Sequence, residues 1–80
     1  MPKSELYGAK SCPFTSEMRE WLEWQGRDFY EFDVEADPEA LRQMINATGG
    51  QRMVPVLVED GVAVHIGWHG RGCIVAPPSS

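Results

Sequence analysis

The chain has 80 residues, a net charge of −5 and 42% hydrophobic residues. A chain of this length supports one domain with a small core, and its apolar content is too high for intrinsic disorder. The negative charge, without a Lys/Arg cluster, predicts no nucleic-acid partner. No apolar run approaches the roughly 18 residues that span a bilayer, and residues 1–7 lack a leader pattern. We therefore expect one domain over residues 1–80, no membrane partner and, by default, a cytoplasmic location.

The first half of the chain predicts a strand, a helix and a second strand. Residues 4–7 form a short strand-like segment that Gly8 ends, and the next helix begins at Pro13, because proline suits the first turn of a helix. Residues 16–25 continue this helix, and Gly26 stops it. Residues 29–34 are aromatic and β-branched and predict the second strand. The residues expected on the buried face of the helix are Phe14, Met18, Trp21, Leu22 and Gln25, whereas Trp24 lies off that face.

The second half predicts a further helix and a hairpin. Asp37-Pro38 is an N-cap and first-position pair, and the helix should run to about residue 47 and end at Gly49-Gly50. It would bury Leu41, Met44 and Ile45. Residues 54–58 and 62–66 form an antiparallel hairpin around Asp60-Gly61. The predicted order is β-α-β-α-β-β, an α/β protein, and residues 67–80 are expected to be an irregular tail because glycines and prolines interrupt them.

Cys12 is the strongest candidate for a chemically active residue. It directly precedes the predicted helix, and a helix N-terminus favours the thiolate through unpaired N–H groups and the helix dipole. Lys10 adds positive potential, so we expect the pKa of the Cys12 thiol to lie below the free value of about 8.5. The alternative is a cysteine that serves only as a small buried apolar residue.

The two cysteines lie far apart in sequence, which favours a reactive thiol over a disulfide framework. Thr15 stands three residues after Cys12, where a C-x-x-C protein has its resolving thiol, and its hydroxyl is expected to hydrogen-bond the sulfur anion. A mixed disulfide at Cys12 therefore needs a second thiol from outside the motif. This is a monothiol mechanism, for which Cys73 is a distant candidate resolving thiol; the alternative is that Cys73 only packs the tail.

Cys12-Pro13-Phe14-Thr15 resembles the active site of glutaredoxins, and Met53-Val54-Pro55 resembles their T-V-P segment. The resemblance implies a thioredoxin/glutaredoxin-like fold with a four-stranded mixed sheet, here with a truncated or absent C-terminal helix. It implies thiol-disulfide oxidoreductase activity with glutathione as co-substrate, no tightly bound cofactor, and glutathione or protein disulfides as partners. It also implies that Pro55 is cis beside Cys12 and that the Val54 backbone pairs with bound glutathione or peptide. The remaining residues of that binding site would be Lys10, Pro13, Phe14, Gln51 and Arg52.

Three features differ from the glutaredoxin pattern. Lys10 lies one place later than the family's lysine, and Arg71 falls near the family's aspartate that binds the amino end of glutathione. The sequence has no pattern for the C-terminal helix of glutaredoxins, so we expect that helix to be truncated or absent. Trp68-His69-Gly70 is similar to a segment of small redoxins recharged by thioredoxin reductase, and the whole string from residue 67 to Cys73 is most similar to the Uxx-star group, in which selenocysteine often replaces the active cysteine.

Other functions use the same fold without enzyme activity. His65, His69 and Cys73 are spaced four apart, a metal-ligand spacing on a helix, but glycines in that segment argue against the helix, so we predict no metal site. A non-enzymatic module that binds an iron–sulfur cluster, a metal or a peptide is the main alternative. A redoxin recharged by thioredoxin reductase is another.

Overall fold

The computed structural model describes residues 4–75. Its elements are β1 (Ser4–Gly8), α1 (Pro13–Trp24), β2 (Tyr30–Asp33), α2 (Pro38–Thr48), β3 (Met53–Val54), β4 (Val56–Glu59), β5 (Val62–Ile66) and β6 (Cys73–Ile74). The predicted order is confirmed, with the third strand divided at Pro55 and one further short strand added. The described part of the predicted irregular tail therefore contains a strand, whereas the prediction from Pro77 and Pro78 lies outside the described residues.

The main sheet has four strands in the order β2-β1-β4-β5. β1 runs parallel to β2 and antiparallel to β4, and β4 pairs antiparallel with β5. This is the four-stranded mixed sheet of the thioredoxin/glutaredoxin-like fold. β3 and β6 form a separate two-stranded antiparallel sheet beside it.

The two helices cover opposite faces of the main sheet. Side chains alternate between faces along a strand, and Leu6 packs with Met18 and Leu22 of α1. The next residue, Tyr7, packs instead with Leu41 and Met44 of α2. Each helix thus closes one of two small cores, and the strand ends between them carry the site.

The helix boundaries follow local chemistry. Asp37 caps α2 by accepting from the N–H groups of Glu39 and Ala40 at 3.1 and 3.3 Å. Gly49 ends α2 in the left-handed conformation at φ 73°. On α1, Met18 and Leu22 are buried as predicted. Gln25 is exposed rather than buried because α1 ends at Trp24, just before it.

Candidate active site

Cys12 is the N-cap residue of α1 and is fully buried, with 0% of its surface exposed. Its N–H donates to the Ala9 carbonyl at 3.1 Å, and its carbonyl accepts from the Thr15 N–H at 3.1 Å. The Cys12 side chain makes no capping hydrogen bond, and Pro13 follows as the first helical residue. The sulfur therefore lies at the positive end of the α1 dipole, in the position that stabilises a thiolate when the residue is reduced.

Cys12 forms a disulfide with Cys73. The two residues are 61 positions apart in sequence, and their Cα atoms lie 6.0 Å apart, a usual separation for a disulfide. The sequence favoured a reactive thiol over a disulfide framework and left Cys73 as a distant candidate partner. The fold brings the two cysteines together despite their separation in sequence. Cys73 is partly exposed, whereas Cys12 is closed off from solvent.

Strand β6 holds Cys73 against the chain beside Cys12. β6 pairs antiparallel with β3, with Val54 opposite Cys73 and Met53 opposite Ile74. The Val54 carbonyl oxygen lies 3.9 Å from the Cys12 sulfur. The strand-addition surface expected at Val54 is therefore not open in this oxidised chain, because the chain's own β6 occupies it.

Arg52 binds the residue that follows β6. Its guanidinium donates to the Val75 carbonyl at 3.2 Å, and the Val75 N–H donates to the Arg52 carbonyl at 3.0 Å. Gln51, its neighbour, is exposed, and its N–H donates to the Thr48 hydroxyl at 3.1 Å. The cation expected to pair with a carboxylate thus binds a backbone carbonyl of this chain.

Pro55 is preceded by a cis peptide bond, as the resemblance implied. It is buried, and its carbonyl accepts from the Gly67 N–H at 2.7 Å. This contact joins the end of β5 to the β3–β4 corner. The residues after Gly67 then return to Val54 through β6.

A tight turn over residues 68–71 reverses the chain between β5 and β6. Trp68 and Arg71 bond each other in both directions, with N–H to carbonyl distances of 2.6 and 2.9 Å. His69 and Gly70 at its centre have φ angles of 51° and 77°, the positive pair that a type I′ turn requires. Arg71, which the resemblance places near the family's acidic position, is exposed.

The other residues predicted for the site differ in their burial and contacts. Thr15 is buried, and its hydroxyl accepts from the Ala9 N–H at 3.3 Å, so it stabilises the loop before Cys12; its expected bond to the sulfur anion stays a prediction. Phe14 packs against the α2-side core, and Pro13 is exposed. Lys10 is exposed and lines a depression together with Arg19 and Asp33.

The residues considered for a metal are engaged elsewhere. His65 packs edge-on against Trp21, and His69 packs against Trp68. Within residues 4–75, no three His, Cys, Asp or Glu side chains come close enough to hold a metal ion. In the same part of the chain, no helix has the length and apolar character needed to cross a membrane.

The comparisons with known proteins identify the family. Residues 5–64 match the Glutaredoxin family. The chain belongs to the glutaredoxin family. It is 34% identical over 59 residues to a probable glutaredoxin, slr1562, of Synechocystis, and this match covers 72% of the chain but 54% of that relative. The chain therefore spans about half the length of the curated relative it matches.

Solved structures agree on the fold. The glutaredoxin grx-1 of Archaeoglobus fulgidus superposes with a TM-score of 0.73 at 24% identity, over 86% of this chain and 78% of that one. A mutant form of the thioredoxin-like protein BC3987 gives 0.69 at 30% identity, over 82% and 83% of the two chains. The family match ends at residue 64, before Cys73 and β6.

Sequence reasoning missed three contributors to the site. Met53 and Gly72 pack tightly where β6 meets β3, and Ala9 is buried and binds Thr15 through its N–H. A glycine directly before a cysteine in a glycine-rich tail was the available signal for a close approach of two backbones. Met53 and Ala9 carry no signal of that kind.

Proposed function

We propose that this glutaredoxin is a thiol-disulfide oxidoreductase in which Cys12 is the nucleophile and Cys73 is the resolving thiol. The observation that carries the proposal is the Cys12–Cys73 disulfide at the N-terminus of α1. The motif itself has one thiol, as the sequence predicts, and the second comes from β6. Substrates are disulfides or glutathionylated cysteines.

In the first step, the Cys12 thiolate attacks one sulfur of the substrate disulfide. The Cys12–substrate bond forms, the substrate's own S–S bond breaks, and the departing thiolate takes the electron pair and then a proton. The positive end of α1 and the first-turn N–H groups favour the attacking thiolate. Arg52 and the Val54 backbone hold the substrate's main chain in this step, in the places that β6 otherwise fills.

In the second step, the Cys73 thiolate attacks the Cys12 sulfur of the mixed disulfide. The Cys12–Cys73 bond forms and the substrate leaves as a reduced thiol, so two protein thiols are oxidised for each substrate disulfide that is reduced. β6 supplies the geometry, because its pairing with β3 holds Cys73 opposite Val54 and within bonding reach of Cys12. The result is the disulfide of this structure.

An external thiol then reduces the internal disulfide. Cys73 is partly exposed, whereas Cys12 is buried. The incoming thiolate therefore attacks the Cys73 sulfur, and Cys12 departs as the thiolate. Cys12 suits that role, because a thiolate stabilised at a helix N-terminus is a good leaving group. A second external thiol frees Cys73, which completes the cycle in a reducing, cytoplasmic compartment.

Glutathione is the proposed external thiol, and thioredoxin reductase is the alternative electron source. Arg52 is bonded to the Val75 carbonyl while the disulfide is closed. Once the first external thiol has opened the disulfide and the tail has left, Arg52 offers a cation to the glycine carboxylate of glutathione, which supports the first assignment. Arg71 places a cation where the family binds the ammonium group, so glutathione is expected to bind more weakly than in typical glutaredoxins.

The test is glutathione-dependent reduction of a small mixed disulfide, together with alkylation of Cys12 as a function of pH. We expect turnover that Cys12→Ser abolishes, and alkylation at a pH below the free-cysteine value of about 8.5. Val62→Ser, a change at an exposed position of β5, is the matched control and should keep full activity. Absence of turnover, with alkylation at the free-cysteine pH, would contradict the proposal and favour a non-enzymatic binding module.

A further inference from the structure

The chain's own tail displays the kind of peptide that fits beside Cys12. Residues 72–75 lie extended along β3, with Cys73 bonded to Cys12 and paired with Val54. Two residues further on, the Val75 carbonyl meets the Arg52 guanidinium at 3.2 Å. The tail therefore has the contacts that the proposed function assigns to a bound substrate, and its sequence carries information on specificity.

Gly72, the residue directly before Cys73, has no room for a side chain. A Cβ atom built on Gly72 would lie 2.5 Å from the Val54 carbonyl oxygen and 2.6 Å from Cγ of Met53. Real Cβ atoms do not approach heavy atoms that closely. Gly72 is thus required by the space between two backbones.

The obstructing oxygen cannot move aside cheaply. Val54 is 0% exposed, and Pro55, which follows it, is buried and anchored by the Gly67 N–H. Val54 also pairs with Cys73 through β6. Shifting its carbonyl would disturb the core and the strand pairing together, whereas Met53 can adjust part of its side chain.

We propose that this site selects substrates by the group joined to the nitrogen of the reactive cysteine. In that preceding group, the carbon next to the carbonyl bears no side chain. The Val54 carbonyl and Met53 are the specificity-determining groups. The substrate class is an extended protein segment with Gly-Cys at the disulfide. The γ-glutamyl-cysteine unit of glutathione shares this chemistry, since a methylene precedes its peptide carbonyl. This inference rests on the proposed function and specifies which substrates that function accepts.

The reaction that reports this selection is a single thiol-disulfide exchange. The Cys12 thiolate attacks the cysteine sulfur of a peptide whose disulfide partner is thionitrobenzoate. The Cys12–peptide bond forms, the peptide–thionitrobenzoate bond breaks, and coloured thionitrobenzoate leaves with the electron pair. The product has the connectivity of the Cys12–Cys73 disulfide, with the peptide's preceding residue in the place of Gly72.

The experiment uses a Gly72→Ala, Cys73→Ser double variant of the full chain, in which Cys12 has no partner thiol and closure of the tail is disfavoured. Its rate is measured with two matched pairs of thionitrobenzoate disulfides. One pair is acetyl-Gly-Cys-Ile-Val-amide and acetyl-Ala-Cys-Ile-Val-amide. The other is γ-glutamyl-cysteine and α-glutamyl-cysteine, which have the same composition but differ in whether the carbon before the carbonyl is substituted.

We expect the Gly peptide to react about tenfold or more faster than the Ala peptide, and the γ isomer to exceed the α isomer similarly. Equal rates within the pairs, or a preference confined to one pair, would overturn the selection rule, because the same clash operates in both. If all four disulfides react with the protein no faster than they react with a free cysteine peptide, the proposed function itself fails. The Cys73→Ser single variant with Gly72 retained checks that the preference is independent of the second substitution.

Discussion

Arg52 and Val75 bond each other in both directions: the Arg52 guanidinium donates to the Val75 carbonyl at 3.2 Å, and the Val75 N–H donates to the Arg52 carbonyl at 3.0 Å. This pair secures the chain just beyond Cys73. It also engages the cation that the proposed function assigns to the carboxylate of glutathione. Arg52 therefore secures the closed, oxidised state, and the proposed function assigns the same residue to the bound substrate once the tail has left.

Arg52→Met should weaken closure of the tail. The variant keeps the backbone bond from Val75 but loses the guanidinium contact, so the equilibrium with dithiothreitol should shift toward the dithiol protein by about two- to tenfold, from a net hydrogen-bond contribution of about 0.5–1.5 kcal/mol. Arg42→Met, which removes an exposed pair with Glu39 on α2, is the control and should leave that equilibrium unchanged. An unaltered equilibrium for Arg52→Met would contradict a role in closure.

Gly72→Ala, directly before β6, should impair the internal disulfide more strongly than Ile74→Ala within it. The new Cβ would collide with the Val54 carbonyl, and this collision is absent once the tail has left. We expect the dithiothreitol equilibrium to move toward the dithiol by about five- to a hundredfold, from an overpacking cost of about 1–3 kcal/mol. Ile74→Ala, at an exposed neighbouring position, should change it little.

Thr15→Val should destabilise the fold. Valine keeps the shape of threonine but leaves the Ala9 N–H without its acceptor, which costs about 1–3 kcal/mol of unfolding free energy. Thr15→Ser keeps the hydroxyl and should recover most of that loss in urea unfolding. If Thr15→Val matches the parent in stability yet shifts the pH dependence of Cys12 alkylation, Thr15 acts on the sulfur instead.

Tyr7 should make the fold sensitive to alkali. Burial, together with the nearby Glu5 carboxylate, raises the pKa of Tyr7 from 10.0 to about 12. Since the folded pKa exceeds the unfolded one, the folded state holds the proton more tightly, and this stabilisation is present below pH 10 and is lost as the pH rises toward about 12. Tyr7→Phe should show a shallower fall in urea-unfolding free energy over that range; the exposed Tyr30→Phe is the control.

Local chemistry made much of the fold predictable. Asp37-Pro38 fixes the start of α2, and Asp60-Gly61 adopts the two positive φ angles that its hairpin needs. Cys12 at the start of α1 follows from Pro13, whose ring suits only the first turn. These signals act within a few residues, so a single sequence displays them.

The partner of Cys12 could not be derived in the same way. β6 has two residues, too few for any periodicity, and it forms because the chain meets the free edge of β3. Its return depends on His69, a non-glycine residue with a positive φ, which no composition rule identifies. From the sequence, Cys73 was therefore either a candidate resolving thiol or a residue that packs the tail. In the fold it is bonded to Cys12.

In the proposed function, Cys12 attacks the substrate and Cys73 resolves the mixed disulfide. The most direct measurement is intact mass spectrometry after the reduced protein is mixed with an equal amount of a glutathionylated peptide. The parent chain should yield the internal disulfide and reduced thiols, and Cys73→Ser should accumulate a mixed disulfide on Cys12. A Cys73→Ser chain that accumulates no adduct, or a Cys12→Ser chain that still releases reduced peptide, would contradict these two roles.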